Sequence, residues 1–115
     1  MVNEWIAEGN IISDVILRHT RDSMRPVLNM MLCIDDHYRA KKNTKNKDFL
    51  VKKRVIKVPL VAWHDRATEI SQNIQQGDKV RVKGAIRTRL VKRETGSYPT
   101  FEVVLEECIL LNRKD

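Results

Sequence analysis

The chain has 115 residues and a mass of 13.5 kDa, with 22 basic and 15 acidic side chains and a formal net charge of +7. That is room for one domain with one core. No run of ~18 apolar residues is present, which excludes a membrane-spanning helix, and MVNEWIAEGN lacks a basic-then-apolar leader, so a cytoplasmic location is expected. Cys33, Cys108, His19, His37 and His64 show no metal-ligand spacing. Neither metal nor cofactor is expected, and the two cysteines read as buried free thiols of a reducing compartment. Asp35-Asp36 has no complementary ligands and no catalytic constellation is readable, so no enzyme is expected.

Residues 5–16, WIAEGNIISDVI, read as a first strand bent at Gly9-Asn10. Residues 18–25 are a polar turn. The apolar run 27–34, VLNMMLCI, is too short for a helix and suits a strand. Residues 36–53, DHYRAKKNTKNKDFLVKK, predict a long, flexible basic loop. A strand resumes over 54–63. Ile56, Val58, Leu60 and Ala62 fall on one face, and Val55, Lys57, Pro59, Val61 and Trp63 on the other. Residues 64–76 take a helical period, with Asp65 as N-cap and Ala67, Ile70 and Ile74 as the apolar stripe. Gly77-Asp78 stops the helix.

Residues 79–89 alternate. Val80, Val82, Gly84, Ile86 and Thr88 point one way; Lys79, Arg81, Lys83, Ala85, Arg87 and Arg89 point the other. Glu94-Thr95-Gly96-Ser97 is a hairpin turn, and 99–111 is the closing strand. Five strands with one short helix between the third and fourth predict an all-β, five-stranded OB-fold barrel, one domain over 1–115. Other small β-barrels and an α+β sheet share that element order.

The charge is concentrated. From Arg39 to Arg54 there are eight cations against Asp48 alone, and from Lys79 to Arg93 seven cations and no acid. The remainder holds seven basic and fourteen acidic side chains. A solvated surface mixes its signs, so this polarity points to a face for a polyanion, nucleic acid foremost. The candidate contacts in the first segment are Tyr38, Lys41, Lys42, Lys45, Lys47, Lys52 and Arg54. Lys57 and Trp63 follow on the next strand. Lys79, Arg81, Lys83, Arg87, Arg89, Lys92 and Arg93 make up the second segment. Cations suit phosphate, and arginine also stacks on bases. Trp63 and Tyr38 are the candidate base platforms, with packing under a loop or at a subunit contact as the alternative. Phe49 is a weaker candidate, and Trp5 and Phe101 suit the barrel or an interface better.

Residues GNIISDVILRHT, LVAWHDRATEISQNIQQGDKVRVKGAIRTR and FEVVLEECILL together resemble the bacterial single-stranded DNA-binding protein family, over nearly the whole chain. Trp63 through Arg89 is the specific part. The resemblance implies an OB fold, work on exposed single strands in replication, recombination or repair, and a homo-oligomer, dimer or tetramer. Two positions depart from the family pattern. Stacking aromatics usual in strand three and after strand four are here Lys57 and Val91. The resemblance also implies an acidic C-terminal tail; from the final residues LNRKD no such tail is expected here. The reading is a divergent or minimal relative that binds single-stranded DNA largely without sequence specificity. The alternatives are a primosome-type accessory subunit acting through replication or recombination proteins, and an RNA-binding OB domain. No membrane partner is expected.

Overall fold

Gly9 sits where the first strand changes partners. In the computed structural model, which describes residues 1–41 and 49–114, β1 (Trp5–Ile11) pairs antiparallel with β5 from Trp5 to Asn10, and Asn10 and Ile11 also face Cys33 and Leu32 of β3. A Cβ on Gly9 would run into the Cys33 carbonyl oxygen, so only glycine lets the two backbones meet there. The strand ends at Ile11, short of the expected residue 16. Beyond it, Ser13 Oγ accepts the Met31 N–H at 2.8 Å, and Ile12 N–H donates to the Met31 carbonyl at 3.0 Å. Those side-on contacts replace a continued ladder.

The remaining elements follow in chain order as β2 (Arg18–His19), β3 (Pro26–Lys41), β4 (Phe49–Trp63), α1 (His64–Asn73), β5 (Lys79–Arg93) and β6 (Gly96–Asn112). The sheet order is β1-β5-β6-β4-β3-β2, and the β1–β3 pairing closes it into a barrel. β4 and β6 meet in parallel at Leu60–Val103 and Val61–Val104. The expected five-stranded OB barrel is present. The two-residue β2 adds one to the count, so the helix stands between the fourth and fifth strands rather than the third and fourth.

Even positions line the core over residues 28–32 of β3, 58–62 of β4 and 80–84 of β5, joined by Val103 and Leu105 of β6. Leu28, Leu32, Leu60, Val80, Val82, Val103 and Leu105 are all at most 1% exposed, and the helix adds Ala67, Ile70 and Ile74. Each such side chain contributes on the order of 1.5–3 kcal/mol over its exposed state. The helix stripe is as expected, but its cap is not. Trp63 occupies the N-cap position without a side-chain cap bond, and Asp65 lies in the first turn, where a carboxylate suits the helix dipole. At the far end the buried Asp78 carboxylate accepts the Gln75 N–H at 2.9 Å and the Lys114 N–H at 3.3 Å, with Arg113 at 3.6 Å. One carboxylate thus ties the end of the helix, the start of β5 and the C-terminal segment together.

The expected loop over 36–53 needs correction. Residues 36–41 and 49–53 are strand, paired from Asp36–Arg54 out to Lys41–Phe49. An extended two-stranded ribbon is held by backbone bonds and needs no apolar alternation, so its polar sequence concealed it. Residues 42–48 lie outside the described residues. The second hairpin also runs further than expected: β5 continues to Arg93, and Glu94-Thr95 alone make the turn. Cys33 and Cys108 are free and only partly buried, and burial still pushes the Cys108 thiol up to about 11.

Candidate nucleic-acid interface

The odd positions of β4 build the floor of the site. Their direct partners across the ladder are Cys33 for Lys57, Met31 for Pro59, Asn29 for Val61 and Val27 for Trp63. Alternation puts all eight on the barrel's outer face. Along this floor runs a groove of about 350 Å³, lined by Ser13, Asn29, Met31 and Pro59 on one side and Arg89, Thr100, Phe101 and Glu102 on the other. Lys57 continues the floor toward the hairpin tip and is exposed. Trp63 lies at the opposite end, half-buried, beyond the covered Val61. The Arg25 guanidinium sits 5.5 Å from the Trp63 ring centroid, a cation–π arrangement.

The seven cations of β5 do not act as one face. Arg81 Nε lies 3.6 Å from Glu8, and Lys83 Nζ lies 3.2 Å from Glu4, both acids on β1 or just before it. Glu4 raises the Lys83 pKa through that hydrogen bond and its charge. Between Lys83 and Gly84 the β5–β6 register shifts; β1 pairs with β5 as far as Gly84, Asn3 still bonds Ile86, and from Arg87 on the ladder partner of β5 is β6, with Arg89 at the groove. There Arg87 is 3.1 Å from Glu102, a carboxylate only 6% exposed, while Arg89 faces the groove. Among the described residues no carboxylate stands within ion-pair distance of Lys79, Arg89, Lys92 or Arg93. Lys92 falls on the hairpin face opposite Arg89 and Arg93, since alternation groups it with Leu90.

Of the expected contacts, the structure therefore gathers Arg89 at the groove, with Lys57 and Trp63 on the same floor. It parts Arg81 and Lys83 from them. Arg54 is exposed on β4 opposite Asp36, and Tyr38 faces Lys52 in the ladder next to Lys41's arm of the ribbon. Lys42, Lys45 and Lys47 lie outside the described residues. Sequence reading missed Arg25, Ser13, Asn29 and Thr100. Nothing in a polar turn marks Arg25 as the cover of a tryptophan 38 positions away. Asn29 was legible, being the one polar residue of an apolar strand whose odd positions face outward. Tyr98 was also missed. It is 47% exposed and directly opposite Val91.

An outer groove walled by Arg89, with Lys57 and Trp63 along the same floor, makes a surface suited to a charged, unstacked polymer. The single-strand binding protein family model matches residues 2–111. Single-stranded DNA-binding protein 2 of Chlorobaculum tepidum is 25% identical over 114 residues, covering 98% of this chain and 73% of that protein. Single-stranded DNA-binding protein 1 of Streptococcus pyogenes serotype M18 is 26% identical over 117 residues, covering 100% of this chain and 82% of that one. In fold the chain is similar to the Plasmodium falciparum SSB solved in complex with ssDNA, with a TM-score of 0.81 at 14% identity, covering 97% and 96% of the two chains. With its barrel topology and a family match over nearly its full length, the chain belongs to the single-strand binding protein family.

Proposed function

We propose that this chain binds single-stranded DNA, largely without sequence specificity, in replication, recombination or repair. The observation that carries the reading is the groove on the outer β3–β4 face, walled by Arg89. Phosphates bound by Arg89 and Lys57 release counterions, which supplies most of the affinity and makes it salt-dependent. Trp63 adds a π-face for a base, and every base has one, so the contact tolerates any sequence. Duplex DNA keeps its bases stacked and cannot use that ring. The chain acts as a homo-oligomer in this reading. The exposed Ile6 of β1 and Ile109 of β6, which share a shallow groove of about 180 Å³, are the apolar surface such an assembly would cover.

Titration of the purified protein with oligo-dT, oligo-U and duplex at two salt concentrations tests the proposal. The expected result is preferential oligo-dT binding that weakens with salt. Equal or tighter binding to duplex overturns it, and preference for oligo-U makes the chain an RNA-binding OB protein.

A further inference from the structure

We infer that His64 is a further single-strand contact, which holds a phosphate in its imidazolium form and makes binding tighten as the pH falls. His64 takes no part in the single-strand reading above, on which this contact depends. It opens α1 directly after the last residue of β4, so the chain delivers it to the Trp63 end of the groove floor. The two ring centroids are 6.5 Å apart, with the planes tilted by 44°. The histidine is exposed, and a base set on Trp63 brings its flanking phosphates within reach of the imidazole. The His64 carbonyl accepts the Thr68 hydroxyl at 3.5 Å, and among the described residues neither ring nitrogen has a hydrogen-bond or ion-pair partner.

The charged groups around the ring are few. Arg25, in the turn before β3, lies over the Trp63 ring at 5.5 Å, and Asp65 follows His64 in the first turn of α1. Among the described residues no carboxylate stands within ion-pair distance of His64. A phosphate therefore meets an imidazolium that no acid of the protein already holds, with the Arg25 guanidinium on the same tryptophan. Histidine is the side chain type whose charge changes between about pH 5 and 8, whereas arginine and lysine contacts stay charged throughout. One contact of the groove is thus switched by pH while the others are not. The backbone singles out the same residue. The φ of His64 is +57°, in the left-handed region that glycine enters freely and other residues seldom adopt. A position that suits glycine carries instead an exposed, titratable ring beside the candidate base platform.

The test is the affinity and salt slope of oligo-dT binding at about pH 8 and about pH 5.5 for wild type, His64→Gly and His64→Asn. Both replacements suit a positive φ, so the fold survives them, and neither titrates. Thymine and the phosphodiester keep their charge over this range, so any change belongs to the protein. Wild type is expected to bind roughly 2- to 10-fold more tightly at the lower pH, the net worth of one hydrogen bond, with a salt slope steeper by about 0.7. Both variants are expected to lose that gain and that added slope. At the higher pH they are expected to stay within about twofold of wild type, because a neutral imidazole releases no counterion. If the variants keep the wild-type gain at low pH, another group carries it, the His64 contact is refuted and the single-strand reading stands. If wild type binds with one affinity and one slope at both pH values, the contact is refuted in the same way. If the variants weaken equally at both, the ring only packs beside Trp63, which also refutes a phosphate contact. If wild type does not bind oligo-dT at either pH, both the contact and the single-strand reading fall.

Discussion

The two ends of β5 hold their cations differently. Near the strand's start, Arg81 and Lys83 face Glu8 and Glu4, and near its end, Arg89 and Arg93 have no acid within ion-pair distance among the described residues. Both ends look alike as sequence: an alternating strand with a cation at nearly every odd position. The barrel's curl separates them, because the first half of β5 lies against β1 and the second half against β6 alone, beside the groove. A cation already beside a carboxylate has less to gain from a phosphate. The same residue type therefore solubilises and pairs at one end and is available to a ligand at the other. Arg87 is intermediate. It is half-exposed, yet it neutralises the nearly buried Glu102, so its loss would strand a buried charge and confuse stability with binding.

Gly84 is where one region gives way to the other, and replacing it is expected to have the largest effect. A side chain there would run into the Val104 carbonyl and the Val103 side chain. Gly84→Val is expected to cost on the order of 3 kcal/mol or more, read as a fall of at least ~10 °C in Tm, with oligo-dT binding lost alongside. A variant that melts with wild type would mean the register shift tolerates a branched side chain, and that the close strand approach at this point does not hold the two regions in place.

Trp63→Ala tests the groove side alone. Removing its ring is expected to cost about 1–3 kcal/mol of oligo-dT affinity, with the salt slope unchanged and the thermal melt followed in parallel because the ring is half-buried. Unchanged affinity would make Trp63 a packing residue under Arg25 and leave the groove with charge alone.

The barrel was legible because its core strands are periodic. Val80, Val82 and Gly84 alternate with cations, and Leu28, Met30 and Leu32 sit at every second place in an apolar run. The ribbon beyond Ile34 was not legible. Its strands are sustained by backbone pairing, which leaves no apolar signature in DHYRAK or FLVKK. Trp63 and Arg89 were readable as candidates from residue type and face. What alternation could not reveal was the partner across the sheet. Glu4 and Glu8 are separated from Lys83 and Arg81 by more than seventy residues, and only the β1–β5 register brings them together. Tyr98 stayed hidden for a related reason. Its place opposite Val91 follows from a turn two residues long, whereas a four-residue turn had been expected.

The most direct test compares the salt dependence of oligo-dT binding for two double variants. Arg81→Gln with Lys83→Gln alters the end of β5 that faces β1, and Arg89→Gln with Arg93→Gln alters the end beside the groove. Each phosphate neutralised on a single strand contributes about 0.7 to the slope of log affinity against log salt. The groove-end pair is expected to lower the slope by about 1.4 and to weaken binding to every sequence alike, while the β1-end pair leaves the slope at the wild-type value. A slope lost in the Arg81/Lys83 variant and kept in the Arg89/Arg93 variant would contradict it, and would move the DNA to the opposite side of the barrel.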